Sequence, residues 1–112
     1  MSTRTAEDQI NAARVLVTMA AAFRHLPAPA PRLERLPKST DSTVFTWGVT
    51  LAVHDHLGYF ELWREALGLD PAAVRASLEE DYTNWLEVSG VWSGVPVQVI
   101  GYFRFQDPEH AR

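Results

Sequence analysis

The feature that most limits the fold is a pair of alternating apolar segments separated by a tight turn. Residues 85–92 and 95–105 flank Ser93-Gly94, a pair that suits the two-residue turn of a β-hairpin. With these two residues as the loop, Val88 faces Val99, and this pairing fixes which side chains share each face. The pattern predicts a hairpin whose core face carries Leu86, Val88, Trp92, Val95, Val97 and Val99.

The opposite face of this hairpin carries aromatic and polar side chains. Exposed aromatic residues that cluster are typical of interaction surfaces. The candidate partner-binding residues are Trp85, Glu87, Gln98, Ile100, Tyr102 and Arg104. The alternative is that a helix or the C-terminal tail covers this face, because a chain of 112 residues with four tryptophans has few places to bury them.

The rest of the chain supplies three predicted helices and two predicted strands. Apolar spacings of three and four predict helices over residues 6–26 and 56–67, and Asp70-Pro71 begins a short helix that continues to about residue 80. Strict alternation predicts a strand over 43–54, and residues 33–36 form a short strand. The residues expected on the core face of the first helix are Ile10, Ala13, Leu16, Val17, Ala20 and Phe23.

This order of elements predicts an α+β fold. We expect a four-stranded antiparallel sheet with the helices on one face, in the order α-β-β-α-(α)-β-β. The two αββ halves suggest an approximate twofold relation between them. Residues 1–112 form a single domain, in which the alternating prolines of 27–31 make a stiff connector and residues 107–112 a frayed tail.

Charge and composition narrow the function classes. The formal net charge is −4, with 14 acidic against 10 basic side chains, so we do not expect nucleic acid as a partner. The sequence contains no cysteine, which favours a cytoplasmic location. The longest apolar stretch, 15–23, is too short to span a bilayer, and acidic residues before it do not suit a signal peptide.

The sequence contains one dense cluster of metal-capable side chains. His54 and His56 flank Asp55, and two histidines at this spacing on a strand would point to the same side. A structural metal site normally needs four ligands, and no further ligand lies nearby in the sequence. The favoured interpretation is a strand end followed by an aspartate helix cap, with His54 and His56 as a weak metal candidate.

A second candidate is a basic patch around the proline connector, formed by Arg24, Arg32, Arg35 and Lys38. Such a patch would suit phosphate or an acidic partner. The alternative is that four separated positive charges are simply solvated, because no glycine-rich phosphate loop accompanies them.

Catalysis finds little support in the sequence. Ser93 lies in a hairpin turn, whereas a nucleophile elbow requires a turn from a strand into a helix. The acidic run 79–81 would end a short helix, where carboxylates are usually solvated. We therefore expect no enzyme activity and no cofactor.

Two segments carry a resemblance to known sequences. Residues 57–68, LGYFELWREALG, together with 88–97, VSGVWSGVPV, resemble small uncharacterised actinobacterial, streptomycete-like proteins, some of them phage- or mobile-element-associated. This resemblance implies a bacterial accessory protein without a known activity. The sequence thus favours a protein-interaction module, homodimeric through its aromatic sheet face, over a small-ligand or nucleic-acid-binding accessory protein that uses residues 24–38.

Overall fold

The computed structural model of this chain describes residues 5–39, 42–54, 56–78 and 83–104. A short 3-10 turn, Ala6–Gln9, leads into the first helix, and a second one, Pro71–Ala73, precedes the third strand. The elements are α1 (Ile10–Ala22), β1 (Ala30–Pro37), β2 (Phe45–His54), α2 (Leu57–Ala66), β3 (Arg75–Leu78), β4 (Thr83–Trp92) and β5 (Val95–Arg104).

The five strands form one mixed sheet in the order β1-β2-β5-β4-β3. The outer pairs are antiparallel, but the central strands β2 and β5 run parallel, with Val49 opposite Val97. The prediction of a four-stranded antiparallel sheet is therefore wrong. A parallel pair needs a long crossover connection, and here α2, β3 and β4 all lie between its two strands.

The additional strand is β3, in the segment that the sequence predicts to be helical. Asp70 caps a single turn by accepting a hydrogen bond from the backbone N–H of Ala72 at 2.9 Å, and the backbone becomes extended at Val74. A helix of about ten residues is marginal by itself in water. Pairing with the edge of β4, reinforced by an ion pair from Arg75 to Glu87, favours the strand.

The predicted core face of the hairpin is confirmed. Val88 pairs with Val99, and Trp92 with Val95, as expected for a loop formed by Ser93-Gly94. Both loop residues have positive φ angles, 52° for Ser93 and 80° for Gly94, as a type I′ hairpin turn requires.

Strand β1 begins earlier than predicted and includes part of the proline connector. Ala30 and Pro31, predicted as connector residues, already pair with β2, and the strand continues to Pro37. Because β1 lies at the edge of the sheet, its prolines do not remove a hydrogen bond from a second neighbour.

Both helices pack against the same face of the sheet. One buried cluster contains Val15 and Met19 of α1, Phe60 and Trp63 of α2, and the valines of the central strands. A twofold rotation that exchanges β2 with β5 and keeps them parallel must have its axis along the strands. Such a rotation turns the sheet over, so it would place α1 and α2 on opposite faces. The twofold relation expected from the two αββ halves is therefore wrong.

The rotation of α1 also differs from the prediction. Ala12, Val15 and Met19 are buried, whereas Ile10 and Val17, which we expected on the core face, are exposed. The helix sequence is apolar on nearly all sides, so its periodicity does not identify the face that meets the sheet.

Candidate functional site

The face of the sheet opposite the helices, here called the open face, collects the predicted partner-binding residues. On β4 and β5 the alternation places Trp85, Glu87, Gln98, Ile100 and Tyr102 on this side. Arg104 closes β5, and its side chain lies outside the described residues. Ile100 is 8% exposed and Trp85 and Tyr102 are half-buried, so this surface is less exposed than the sequence suggested.

A row of polar side chains crosses the open face over all five strands. The carboxylate of Glu87 accepts hydrogen bonds from Arg75 and, at 3.0 Å, from the amide nitrogen of Gln98. On the other side of the sheet centre, Glu34 lies 3.5 Å from the Nε of Arg32. We call this set the polar row; it consists of Arg32, Glu34, Thr50, Gln98, Glu87 and Arg75.

Thr50 joins the two halves of the polar row. Its hydroxyl donates a hydrogen bond to the carboxylate of Glu34, and its oxygen lies 3.4 Å from the amide oxygen of Gln98. A threonine hydroxyl has one hydrogen, so it satisfies one of these acceptors at a time, and the charged carboxylate is the stronger. Thr50 is completely buried, and this hydrogen bond satisfies its hydroxyl.

Aromatic rings occupy one end of the open face. The rings of His54 and Tyr102 stack with centroids 5.2 Å apart and planes 15° apart. Trp85 is the cross-strand partner of Tyr102 on β4. These three side chains form a row across three neighbouring strands, here called the aromatic row, which lies beside Ile100.

The other end of the open face contains a trough with a volume of about 700 Å³. Its lining combines apolar residues, including Leu36, Val91 and Pro96, with the polar side chains of Glu87 and Gln98. Its two sides come from the end of β1 and from the turn before β3. A volume of this size lies within the range of ligand pockets, roughly 300–1,000 Å³.

The predicted basic patch is not assembled. Arg32 and Arg35 are three residues apart on β1, so they point to opposite faces of the sheet. The Arg35 guanidinium donates to the backbone oxygen of Phe45 at 2.8 Å. Arg24 follows α1 and Lys38 follows the far end of β1, so the four charges do not form one surface.

The two histidines of the metal candidate have separate partners. His54 stacks on Tyr102, whereas the ring of His56 stacks on Tyr59 at 3.9 Å. His56 is the residue that precedes α2 and is no longer in the strand, and Asp55 lies outside the described residues. Within the described ranges, no three metal-capable side chains come together.

The other sequence candidates have these positions. Ser93 occupies the hairpin turn with a φ of 52°. The acidic run 79–81 lies outside the described residues.

On the surface of α2, the Arg64 guanidinium donates to Glu61 at 2.8 Å, and this hydrogen bond lowers the pKa of the Glu61 carboxyl. Arg64 also donates to the backbone oxygen of Leu69 at 2.6 Å, which fixes the chain after α2.

Sequence reasoning missed half of the polar row. Glu34, Thr50 and Arg75 were not singled out, because each acquires its role from the pairing of its strand with another one: β1 with β2, β2 with β5 and β3 with β4. One signal was available: Thr50 is a polar residue at the centre of the longest alternating apolar segment. Such a residue, when buried, needs a hydrogen-bond partner on a neighbouring strand.

Comparison of the chain with protein-family models, curated proteins and solved structures finds no match. The resemblance to actinobacterial proteins therefore stays a prediction. Among the described residues, no helix is long and apolar enough to cross a membrane.

Proposed function

We propose that this chain is a non-enzymatic protein-binding module and that the open face of its sheet is the binding surface. The observation that carries this proposal is the one-sided arrangement of the helices: α1 and α2 share one core face, and no described helix lies on the other. The open face offers a partner half-buried aromatic rings at one end and the trough at the other.

The non-enzymatic part of the proposal rests on how the carboxylates are used. Glu34 and Glu87 each interact with an arginine and with an uncharged polar side chain of a neighbouring strand. Carboxylates held in this way stabilise the sheet surface and are poorly placed to exchange protons with a substrate. The cysteine-free sequence and the actinobacterial resemblance support a bacterial cytoplasmic setting for the module.

Two exposed valines on opposite sides of the molecule provide the test. Val91 on the open face is 51% exposed and lines the trough, and Val17 on α1 is 69% exposed. Because neither is in the core, Val91→Arg and Val17→Arg should both leave the fold intact. We expect Val91→Arg to abolish association through the open face and Val17→Arg to leave it unchanged.

The first measurement is the molar mass by light scattering during size-exclusion chromatography. A dimer that Val91→Arg dissociates and Val17→Arg does not would support self-association through the open face. A dimer that only Val17→Arg dissociates would overturn the proposal.

If the chain is a monomer, homodimerisation is wrong. The wild type and both variants then serve as baits for partners from a bacterial host. Partners retained equally by all three baits would contradict the open-face proposal.

A second candidate function is small-molecule binding in the trough, favoured by its volume of about 700 Å³ and its mixed apolar and polar lining. A metabolite library screened by thermal shift tests it. A stabilising compound should lose its effect in Val91→Arg and in Gln98→Leu, and keep it in Val17→Arg.

Nucleic-acid binding through residues 24–38 loses its support because the four basic side chains lie apart.

A further inference from the structure

A second, smaller cavity lies on the helix side of the molecule, away from the open face. Its volume is about 260 Å³, it is open to solvent on one side, and it is lined by the C-terminal half of α1, by residues of the chain from Leu26 to Pro31, and by the core residues Leu51 and Trp63. Apart from Arg24, every described residue that lines it is apolar.

The proline connector forms one wall of this cavity and is fixed in place. The indole Nε1 of Trp63 donates a hydrogen bond to the backbone oxygen of Pro27 at 2.9 Å. Phe23 packs edge-on against Trp63, with ring centroids 6.0 Å apart. Pro29 and Pro31 have no backbone N–H, so this wall offers few hydrogen-bond donors to a ligand. An apolar cavity of this kind favours hydrocarbon over water.

Arg24 is the one charged side chain among the described residues that line the cavity. It is exposed, directly after α1, and it has no hydrogen bond or ion pair with any of the described residues. A free guanidinium presents a planar set of donors that suits a carboxylate. The cavity therefore combines an apolar interior with a positive charge that no described residue neutralises.

We propose that this cavity binds the alkyl chain of a medium-chain carboxylate, with the carboxylate on the guanidinium of Arg24. The volume sets the chain length. An engineered apolar cavity of about 150 Å³ binds benzene, which is roughly 25 Å³ per carbon atom. On that scale a cavity of about 260 Å³ holds roughly ten carbon atoms. This ligand site is independent of the open face.

The test uses hexanoate, octanoate, decanoate and dodecanoate below their micelle-forming concentrations, titrated into the full chain by calorimetry. Burial of a methylene group strengthens binding about fourfold, so affinity should rise about fifteenfold per two carbons up to decanoate. It should then level off because the cavity is full. Decan-1-ol should bind about fivefold to tenfold more weakly than decanoate, since it lacks the charge-assisted hydrogen bonds.

Three variants identify the site. Arg24→Gln should remove the preference for decanoate over decan-1-ol. Ala20 lines the cavity and Ala21 does not, and both are exposed on α1. Ala20→Phe should therefore abolish binding, whereas its matched control Ala21→Phe should not. Equal binding by these two variants, an affinity that keeps rising beyond decanoate, or the absence of millimolar binding would each overturn the proposal.

Discussion

The two faces of the sheet exclude water by different means. On the helix side, Val49, Val97 and Val99 are buried under two helices, with aliphatic and aromatic neighbours. On the open face, Thr50 and Ile100 are also buried, but no described helix covers them. There Thr50 donates a hydrogen bond to the carboxylate of Glu34 and lies 3.4 Å from the amide oxygen of Gln98, so its neighbours on both adjacent strands are polar.

This comparison separates two ways of specifying a sheet. The stability of the helix side depends on the amount of apolar surface removed from water. This hydrophobic contribution is large and does not depend on the direction of individual contacts. The polar row depends on particular partners at particular distances, and each hydrogen bond adds little net stability. We therefore expect substitutions on the helix side to change stability most, and substitutions on the open face to change specificity more than stability.

The largest expected effect is the loss of an aromatic ring from the helix side. Phe60 is 2% exposed and packs over Gly101 of β5. Phe60→Ala should lower the free energy of unfolding by about 4 kcal/mol, because it removes the ring and leaves a cavity. Tyr102→Ala, on the half-buried aromatic row, should cost about 1–2 kcal/mol. Urea denaturation followed by circular dichroism measures both.

Phe60→Ala is also the variant that could leave no folded protein, since domains of this size are stable by roughly 5–15 kcal/mol. Phe60→Leu, with an expected loss of about 1–2 kcal/mol, keeps the comparison measurable. If Tyr102→Ala proves more costly than Phe60→Ala, the open face carries the core of the protein, and the contrast between the two faces is wrong.

Two glycines give the next effect, one on each face, and here the atom that a β-carbon would meet, rather than the face, sets the order of the two losses. A β-carbon at Gly48 would overlap the backbone oxygen of Pro96 and lie 2.9 Å from Cδ1 of Leu36. Because a backbone atom of the parallel partner strand cannot move alone, Gly48→Ala should cost about 2 kcal/mol. At Gly90 a β-carbon would meet Cδ2 of Leu69 at 2.5 Å, the end of a side chain that can rotate. Gly90→Ala should cost about 1 kcal/mol or less.

Thermal unfolding of the two alanine variants tests this difference. A larger loss for Gly90→Ala would mean that the buried Leu69 side chain on the helix side is more rigid than the β2–β5 backbone pair. The parallel pair would then be the more adaptable part of the sheet.

The sequence predicts local pairing well because its cause is local. A two-residue turn fixes the register of β4 against β5, and alternation then fixes which side chains share a face. Glu87, Gln98 and Tyr102 could therefore be placed together from the sequence. Their degree of burial could not, since it depends on side chains from strands far away in the chain.

The wrong predictions share one physical origin, which is competition between local preference and long-range pairing. The segment around Arg75 is rich in helix-forming residues but too short to be stable as an isolated helix, and the free edge of β4 converts it into a strand. The parallel pairing of β2 with β5 joins segments that no local signal relates. For α1 the local pattern was ambiguous, and contact with the sheet selected Val15 and Met19 over Val17.

The smallest effect concerns the centre of the polar row. Thr50→Val keeps the shape of the side chain but removes the hydroxyl that donates to Glu34. The Glu34 carboxylate is about one-third exposed and still lies near Arg32, so it can recover hydrogen bonds from water. We expect a loss of about 1 kcal/mol.

Thr50→Ser keeps the hydroxyl and loses a methyl group from a fully buried position, so it is the matched control. The loss in Thr50→Val measures the hydroxyl and the loss in Thr50→Ser measures the methyl group, so a polar row that dominates at this position makes Thr50→Val the less stable of the two. If Thr50→Ser is less stable, packing of the methyl group dominates at this position, and the open face is held together by the same apolar burial as the helix side.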